Sequence, residues 1–157
     1  MIADMRVQFL IAGDGELRDE LRSLAHSLGQ DGSVFFLGYL SEVDDFYRAI
    51  DILALTSDWE GTPMCILEGM SHGLPIVASA AGGVVEMITH EVNGLLFPAG
   101  DLSSLVANLA ELIGNAAKRR SLGAAGRQHV LADFSSERWA QRHVELYRSL
   151  LAQGVDA

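Results

Sequence analysis

The sequence predicts an α/β fold: a parallel sheet of about five strands followed by a helical C-terminal tail. Two observations carry this. Short apolar runs alternate with amphipathic stretches along the first hundred residues, the pattern of repeated strand–helix–strand units. After Pro98 no strand-like run occurs, and leucines recur at helical spacing instead. The chain of 157 residues is expected to form one domain. Residues about 1–100 would supply the sheet with its crossover helices, and about 101–157 the helical tail.

Val7-Gln8-Phe9-Leu10-Ile11-Ala12 reads as the first strand, ended by Gly13-Asp14-Gly15. Leucines at 17, 21, 24 and 28 then mark a helix from Glu16 to about Leu28. Val34-Phe35-Phe36-Leu37 is a second strand, closed by Gly38, and Ser41 is placed to cap a short helix carrying Phe46, Tyr47 and Ile50. Ile52–Leu55, Ile76–Ala78 and Leu95–Phe97 are three further strands. The tail divides into helices at about 101–114, 116–132 and 136–152. Leu102, Leu105, Leu109 and Leu112 form the stripe of the first of these, and Trp139, Val144, Leu146, Tyr147 and Leu150 that of the last.

Composition narrows the function. A formal net charge of −10 argues against nucleic acid, which needs clustered Lys and Arg. Lys118-Arg119-Arg120 reads as a solvated helix face. The single cysteine, Cys65, allows neither an internal disulfide nor a cysteine-based zinc site and suits a cytoplasmic setting. The five histidines show no paired metal-ligand spacing, so no metal is expected, and no cofactor is expected either. No apolar run reaches the ~20 residues that span a bilayer.

In an open parallel sheet, ligands bind outside the carboxyl ends of the strands. The loops at that edge are Gly13–Gly15, Gly38–Ser41, Ser57–Pro63 and Ser79–Gly83. The first lacks a dinucleotide fingerprint, because Arg18 stands where a third glycine would fall; a tight turn explains it better. The third is the informative one. Thr62 can cap a helix with Pro63 in its first position, which ends at Gly73 before Leu74-Pro75. That helix would aim its N-terminal amides and positive dipole end into the crevice, an anion site suited to a diphosphate. Glu68 lies inside the helix among Cys65, Ile66, Leu67 and Met70, where a carboxylate needs a hydrogen-bond partner or a donor-rich ligand such as a sugar or ribose diol. A backbone amide or an arginine would serve it equally, and Glu60 would then be a solvated loop acid. Ala80-Ala81-Gly82-Gly83 followed by Glu86 repeats the strand–loop–helix design; by itself it reads as a turn with an acid in the helix's first turn. Glu60 and Glu68 as the acid pair of a glycoside hydrolase is a further reading. It fits poorly, because retaining hydrolases hold their carboxyls about 5–5.5 Å apart across the sugar, and Glu68 is set deep in a helix below the loop of Glu60.

These residues together resemble a known family. Ser57-x2-Glu60-Gly61-x-Pro63-x4-Leu67-Glu68-Gly69-Met70-x2-Gly73-x-Pro75-Ile76-Val77-Ala78 is similar to the signature of the group-1 (family four) retaining glycosyltransferases. Ala12–Gly15, Val34-x2-Leu37-Gly38, Tyr47-x2-Ala49-Ile50-Asp51-Ile52, Gly82-Gly83-x2-Glu86, Asn93–Leu96 and Asp101 agree in order and spacing, from about Val7 to the last helix. The resemblance implies one half of a GT-B architecture: the C-terminal of two Rossmann-like domains, the one that holds the nucleotide sugar. It implies that Glu60 lies beside the donor sugar as the catalytic carboxylate and that Glu68 takes the ribose hydroxyls. Gly61, Thr62, Pro63 and the amides around Met64 and Cys65 would meet sugar and phosphate. Backbone at Tyr39 and Leu40 would frame the base, and Gly82 and Gly83 would border the donor. No metal is implied.

The sequence also departs from the family. There, a strand and helix precede the stretch that begins here at Val7, and their loop carries an Arg and a Lys that neutralise the diphosphate. The expectation is therefore an N-terminally truncated donor-binding domain, one piece of a longer or split enzyme or a truncated gene product. Its partners would be a nucleoside-diphosphate sugar and the absent acceptor domain, through which it could lie peripherally at the inner membrane. Alone it would be inactive, and a non-catalytic nucleotide- or glycan-binding module is the alternative. The strands near 7–12 and 76–79 are expected to border the place of the absent central strand, leaving an open edge that invites self-association.

Overall fold

The computed structural model of the protein describes residues 7–152; the two ends of the expected domain lie outside that range. Its elements run β1 (Phe9–Ala12), α1 (Arg18–Ser27), β2 (Val34–Gly38), α2 (Asp44–Ala49), β3 (Leu53–Leu55), α3 (Met64–Ser71), β4 (Ile76–Ser79), α4 (Val84–Met87), β5 (Leu95–Phe97), α5 (Leu102–Gly114), α6 (Ala116–Asp133) and α7 (Ser136–Ala152). The fold is α/β, and every strand pair is parallel, as helical crossovers require. The boundary between two compact units falls between Phe46 and Tyr47, so the helical tail belongs with β3, β4 and β5.

In the first unit β1 pairs with β2 from Phe9↔Val34 to Ala12↔Gly38, with an irregularity after Ile11. Gly13 takes a φ of +119°, and its amide donates to the Gly38 carbonyl at 2.8 Å. Arg18 turns back onto Asp14 at 2.7 Å, so the residue in the third-glycine position braces the turn. Helix α1 forms, but none of its residues is buried, and the stripe of Leu17, Leu21, Leu24 and Leu28 is exposed. Ser41 lies three residues before the first residue of α2. That helix starts two residues beyond the place a cap at Ser41 would give, with Asp44 and Asp45 in its first turn, where acids complement the dipole.

The second unit holds the sheet β3–β4–β5. One expectation is overturned here: the strand at 76–79 does not border an open position. β4 pairs with β3 on one edge and β5 on the other, and all four of its residues are buried. An apolar strand of that kind needs both edges satisfied. Among the described residues, β3 is a strand of this sheet with only one partner.

The core on this sheet is Val77, Leu95, Phe97, Leu112 and Leu122, with Ile52, Leu105 and Leu109 packed against it. The stripe predicted for α5 thus reaches the core through 105, 109 and 112. Asp101 caps α5 by accepting from the Ser104 amide at 3.1 Å, and Asn115 caps α6 by accepting from the Lys118 amide at 2.9 Å. On α7, Trp139, Val144, Leu146, Tyr147 and Leu150 are exposed, with the Trp139 and His143 rings 3.9 Å apart.

Helix α6 crosses α3 at backbone distance. A Cβ on Gly123 would collide with the carbonyl oxygen of Gly73, at the end of α3. Small residues at such a crossing let two helices approach closely, and here the approach fixes the helix that carries Glu68. Gly123→Ala is expected to lower stability by about 1–3 kcal/mol, the range for overpacking. The check is urea denaturation, with a lower midpoint at unchanged slope; an unshifted midpoint would show that the crossing yields freely.

Candidate functional site

The chain leaves β3 at Leu55, runs through the loop 56–63 and enters α3 at Met64. The helix begins one residue later than predicted. Pro63 takes an extended ψ of 105° and occupies the N-cap position, so Thr62 lies a residue too far out to cap, and no side chain caps this end. The first-turn amides at Met64 and Cys65 precede the reach of any helical carbonyl. At the other end Gly73, with φ +72°, donates to the Met70 carbonyl at 2.9 Å, while Leu74 donates to Gly69 at 3.0 Å. This closes the helix in the left-handed turn that its glycine predicts. Ile66 and Met70 bury completely beneath the helix, leaving Cys65, Leu67 and Glu68 half-buried.

Glu68 finds its partner in a tyrosine. The Tyr47 hydroxyl donates to Glu68 Oε2 at 2.6 Å, and Tyr47 is 4% exposed. Its ring lies 5.2 Å from that of His72. Burial, reinforced by the hydrogen bond and the negative charge of Glu68, holds the phenol far above its ordinary pKa, so it stays a donor. Among the described residues, the partner found for the carboxylate is thus a phenol, where the sequence had left an arginine or a backbone amide open.

Glu60 is anchored differently. Its Oε1 accepts from the Ser57 hydroxyl at 2.6 Å, and the Ser57 carbonyl accepts from the Ser79 hydroxyl at 2.5 Å. The Gly83 amide donates to the Glu60 carbonyl at 3.0 Å. A Cβ on Gly82 would strike that same carbonyl oxygen, and one on Gly83 would strike the carbonyl oxygen of Gly61. The space vacated by the two glycines is thus filled by the Glu60–Gly61 backbone. Glycine serves loop-on-loop packing there, in keeping with the turn that this stretch reads as by itself.

Cys65 lies under the influence of both carboxylates. Burial raises its thiol pKa most, the charges of Glu60 and Glu68 raise it further, and the Ile66 and Cys65 amides oppose them. Trp59 projects from the loop at 78% exposure. A cleft of about 330 Å³ opens where this loop and the Gly83 turn meet α6 and α7, lined by Thr62, Gly83, Glu86, His129, Asp133 and Arg142 among others. Within it Asp133 pairs with His129 at 3.3 Å and with Arg142 at 3.5 Å.

The structure therefore brings Glu60, Gly61, Thr62, Pro63, Met64, Cys65, Glu68, Gly82 and Gly83 into one contiguous region of the second unit. Tyr39 and Leu40 belong to the first unit, just past β2, where Tyr39 is 80% exposed. Sequence reasoning gave no role to Tyr47, Ser57 or Ser79. The signal for Tyr47 was present, since a tyrosine on the inward face of a short helix brings a hydroxyl that needs an acceptor. Among the described residues no helix is long and apolar enough to cross a membrane, and no group of three His, Cys, Asp or Glu is placed to hold a metal.

Comparison with known proteins decides the family. The model of "Glycosyl transferases group 1" matches residues 3–129. The chain belongs to the group 1 glycosyltransferases. A GDP-mannose-dependent monoacylated alpha-(1-6)-phosphatidylinositol monomannoside mannosyltransferase of Corynebacterium glutamicum is 34% identical over 151 residues, 90% of this chain and 39% of that protein. HepE of Anabaena, solved in complex with UDP, superposes with a TM-score of 0.86 at 29% identity, over 92% of this chain and 41% of HepE. The C-terminal domain of a group 1 family protein, LpcC of Francisella tularensis, superposes with a TM-score of 0.71 at 25% identity, over 77% of this chain and 64% of that domain's chain. The chain spans about two-fifths of the length of the relatives it matches.

Two outcomes follow for this glycosyltransferase chain. Gly83→Ala should cost about 1–3 kcal/mol in thermal denaturation, whereas Val85→Ala, at an exposed neighbouring position, should cost little; equal effects would remove the special role of the loop contact. Because the Cys65 thiol is pushed up, little thiolate exists at neutral pH, and alkylation by iodoacetamide should run slower than for free cysteine and accelerate only at higher pH. Glu60→Gln should speed it by removing one of the charges that oppose ionisation. A Cys65 rate equal to that of free cysteine would contradict the assigned environment.

Proposed function

We propose that this chain supplies the donor-binding half of a hexosyltransferase that moves a hexose from a nucleoside-diphosphate sugar to an acceptor with retention of anomeric configuration. The single observation that carries the reading is the placement of the two glutamates. Glu68 is held on a helix by a tyrosine, and Glu60 is held by a serine on the loop that enters the same helix. Glu68 then accepts from the ribose hydroxyls, and Glu60 faces the donor sugar as the catalytic carboxylate. The first-turn amides at Met64 and Cys65, with Gly61, Thr62 and Pro63, meet sugar and phosphate. That HepE was solved in complex with UDP supports a nucleotide as the ligand. On this reading residues 1–157 are part of one donor domain, the acceptor is bound by a further domain, and this chain alone does not turn over. It works in the cytoplasm, peripheral to a membrane through that domain, and the edge of β3 that has no strand partner among the described residues lets isolated copies associate.

A second reading, a module that binds nucleotide without transfer, is favoured by one observation: neither Ser57–Pro63 nor Ser79–Gly83 contains a Lys or Arg to neutralise a diphosphate. Measuring transfer and binding separately, with the acceptor domain of a relative supplied in trans, divides the two.

The division of labour between the glutamates has its own test. Glu68→Gln should weaken UDP or GDP about ten- to hundredfold, the worth of roughly 1.5–3 kcal/mol for a hydrogen bond to a charged group. Glu60→Gln should leave the bare nucleotide unchanged and weaken only the nucleotide sugar. Calorimetry of both variants with both ligands reads this directly. Equal losses on the bare nucleotide would abolish the division, and no loss for Glu68→Gln would remove the ribose role.

A further inference from the structure

We infer that Tyr47 is a positioning residue of the donor site, aiming the Glu68 carboxylate at the ribose; this deepens the donor-binding reading and rests on it. The geometry is specific. Tyr47 comes from α2 and Glu68 from α3, 21 residues apart in sequence, and their side chains meet at 2.6 Å. The phenol ring is almost wholly buried and stands against His72. His72 is in turn held at the end of α3, its Nδ1 lying 2.9 Å from the Glu68 carbonyl oxygen. Ring and hydroxyl are thus fixed by their surroundings before any ligand arrives.

The hydroxyl engages Oε2 and leaves Oε1 for a ligand. A carboxylate offers about four acceptor positions. Tyr47 uses one, and a ribose 2′,3′-diol needs two, so both partners can be served together. A glutamate side chain on a half-exposed helix face has several rotamers, and selecting one before binding removes part of the entropic cost that the ligand would otherwise meet. Tyr47 therefore acts on ribose only through Glu68. This separates it from a residue that merely supports the fold.

The test is a double-mutant cycle on this chain, read by ligand-observed NMR titration, which measures weak binding. UDP and GDP are both titrated into the wild-type chain, and the tighter one is carried forward beside its 2′,3′-dideoxy analogue. Tyr47→Phe keeps the buried ring and removes the hydroxyl. It should weaken the ribonucleotide about three- to tenfold and leave the dideoxynucleotide unchanged. In the Glu68→Gln background the same substitution should have almost no further effect. A loosened fold would instead weaken both nucleotides alike, and that outcome overturns the proposal. So does a full additive loss from Tyr47→Phe on top of Glu68→Gln, while the loss from Glu68→Gln itself leaves the donor-site reading standing. Absence of saturable binding by either nucleotide, or an unchanged affinity in Glu68→Gln, removes the ribose role of Glu68 and the role of Tyr47 with it.

Discussion

The contact between two loops, backbone against backbone, sets the rest of the site. At the carboxyl ends of β3 and β4 the Glu60–Gly61 carbonyls fill the space where Gly82 and Gly83 lack side chains, and the Gly83 amide donates back to Glu60. Adjacent parallel strands place their following loops side by side, and ordinary residues would force those loops apart by the width of a methyl group. With two glycines the loops meet, the Ser79 hydroxyl reaches the Ser57 carbonyl, and the Ser57 hydroxyl reaches Glu60. A loop that could otherwise wander is thereby tied to a buried strand. Its carboxylate keeps a defined anchor although it lies on no regular element.

Helix α3 depends on the same economy at its other end. Gly123 lets α6 rest on the Gly73 turn, and the completely buried Ile66 and Met70 hold the underside of α3. With both ends and one face fixed, the side chains on the remaining face have little freedom of direction. Tyr47 removes much of what is left for Glu68. The two carboxylates are thus pre-aimed by unrelated means: a helix with a phenol for one, and a loop with a serine for the other. Between them the Cys65 thiol stays protonated, which keeps a third negative charge out of a region proposed to receive a diphosphate.

The fold was legible because its apolar runs are short, bounded by glycine or proline, and separated by helical spacing. All five strands and the three tail helices lie where that pattern puts them. The boundaries were less legible. Thr62 looked like a cap because threonine favours the N-cap and proline the first helical position, but Pro63 is itself extended and moves the helix start along by one. The leucines of α1 predicted a helix, and a helix forms, yet periodicity cannot say what lies against a stripe. In the site, Glu60 and Glu68 stood out as acids among apolar and turn residues. Ser79 and Tyr47 did not, because their partners lie 22 and 21 residues away in sequence, and Ser57, three residues from Glu60, reads as an ordinary loop serine.

The two glycines show why a motif and its cause can differ. Read along the chain, Gly82-Gly83 is a turn before a helix, and the family resemblance implies that it borders the donor. In space the bare backbone admits the neighbouring loop, and a Cβ there would meet protein rather than solvent. In the proposed donor site the glycines act on the donor at one remove, by setting the height of Glu60 above the helix. A substitution at either would then disturb the sugar end of the site more than the ribose end. Glu68 takes its direction from α3 and Tyr47, whereas Glu60 takes its own from the loop packed on the glycines.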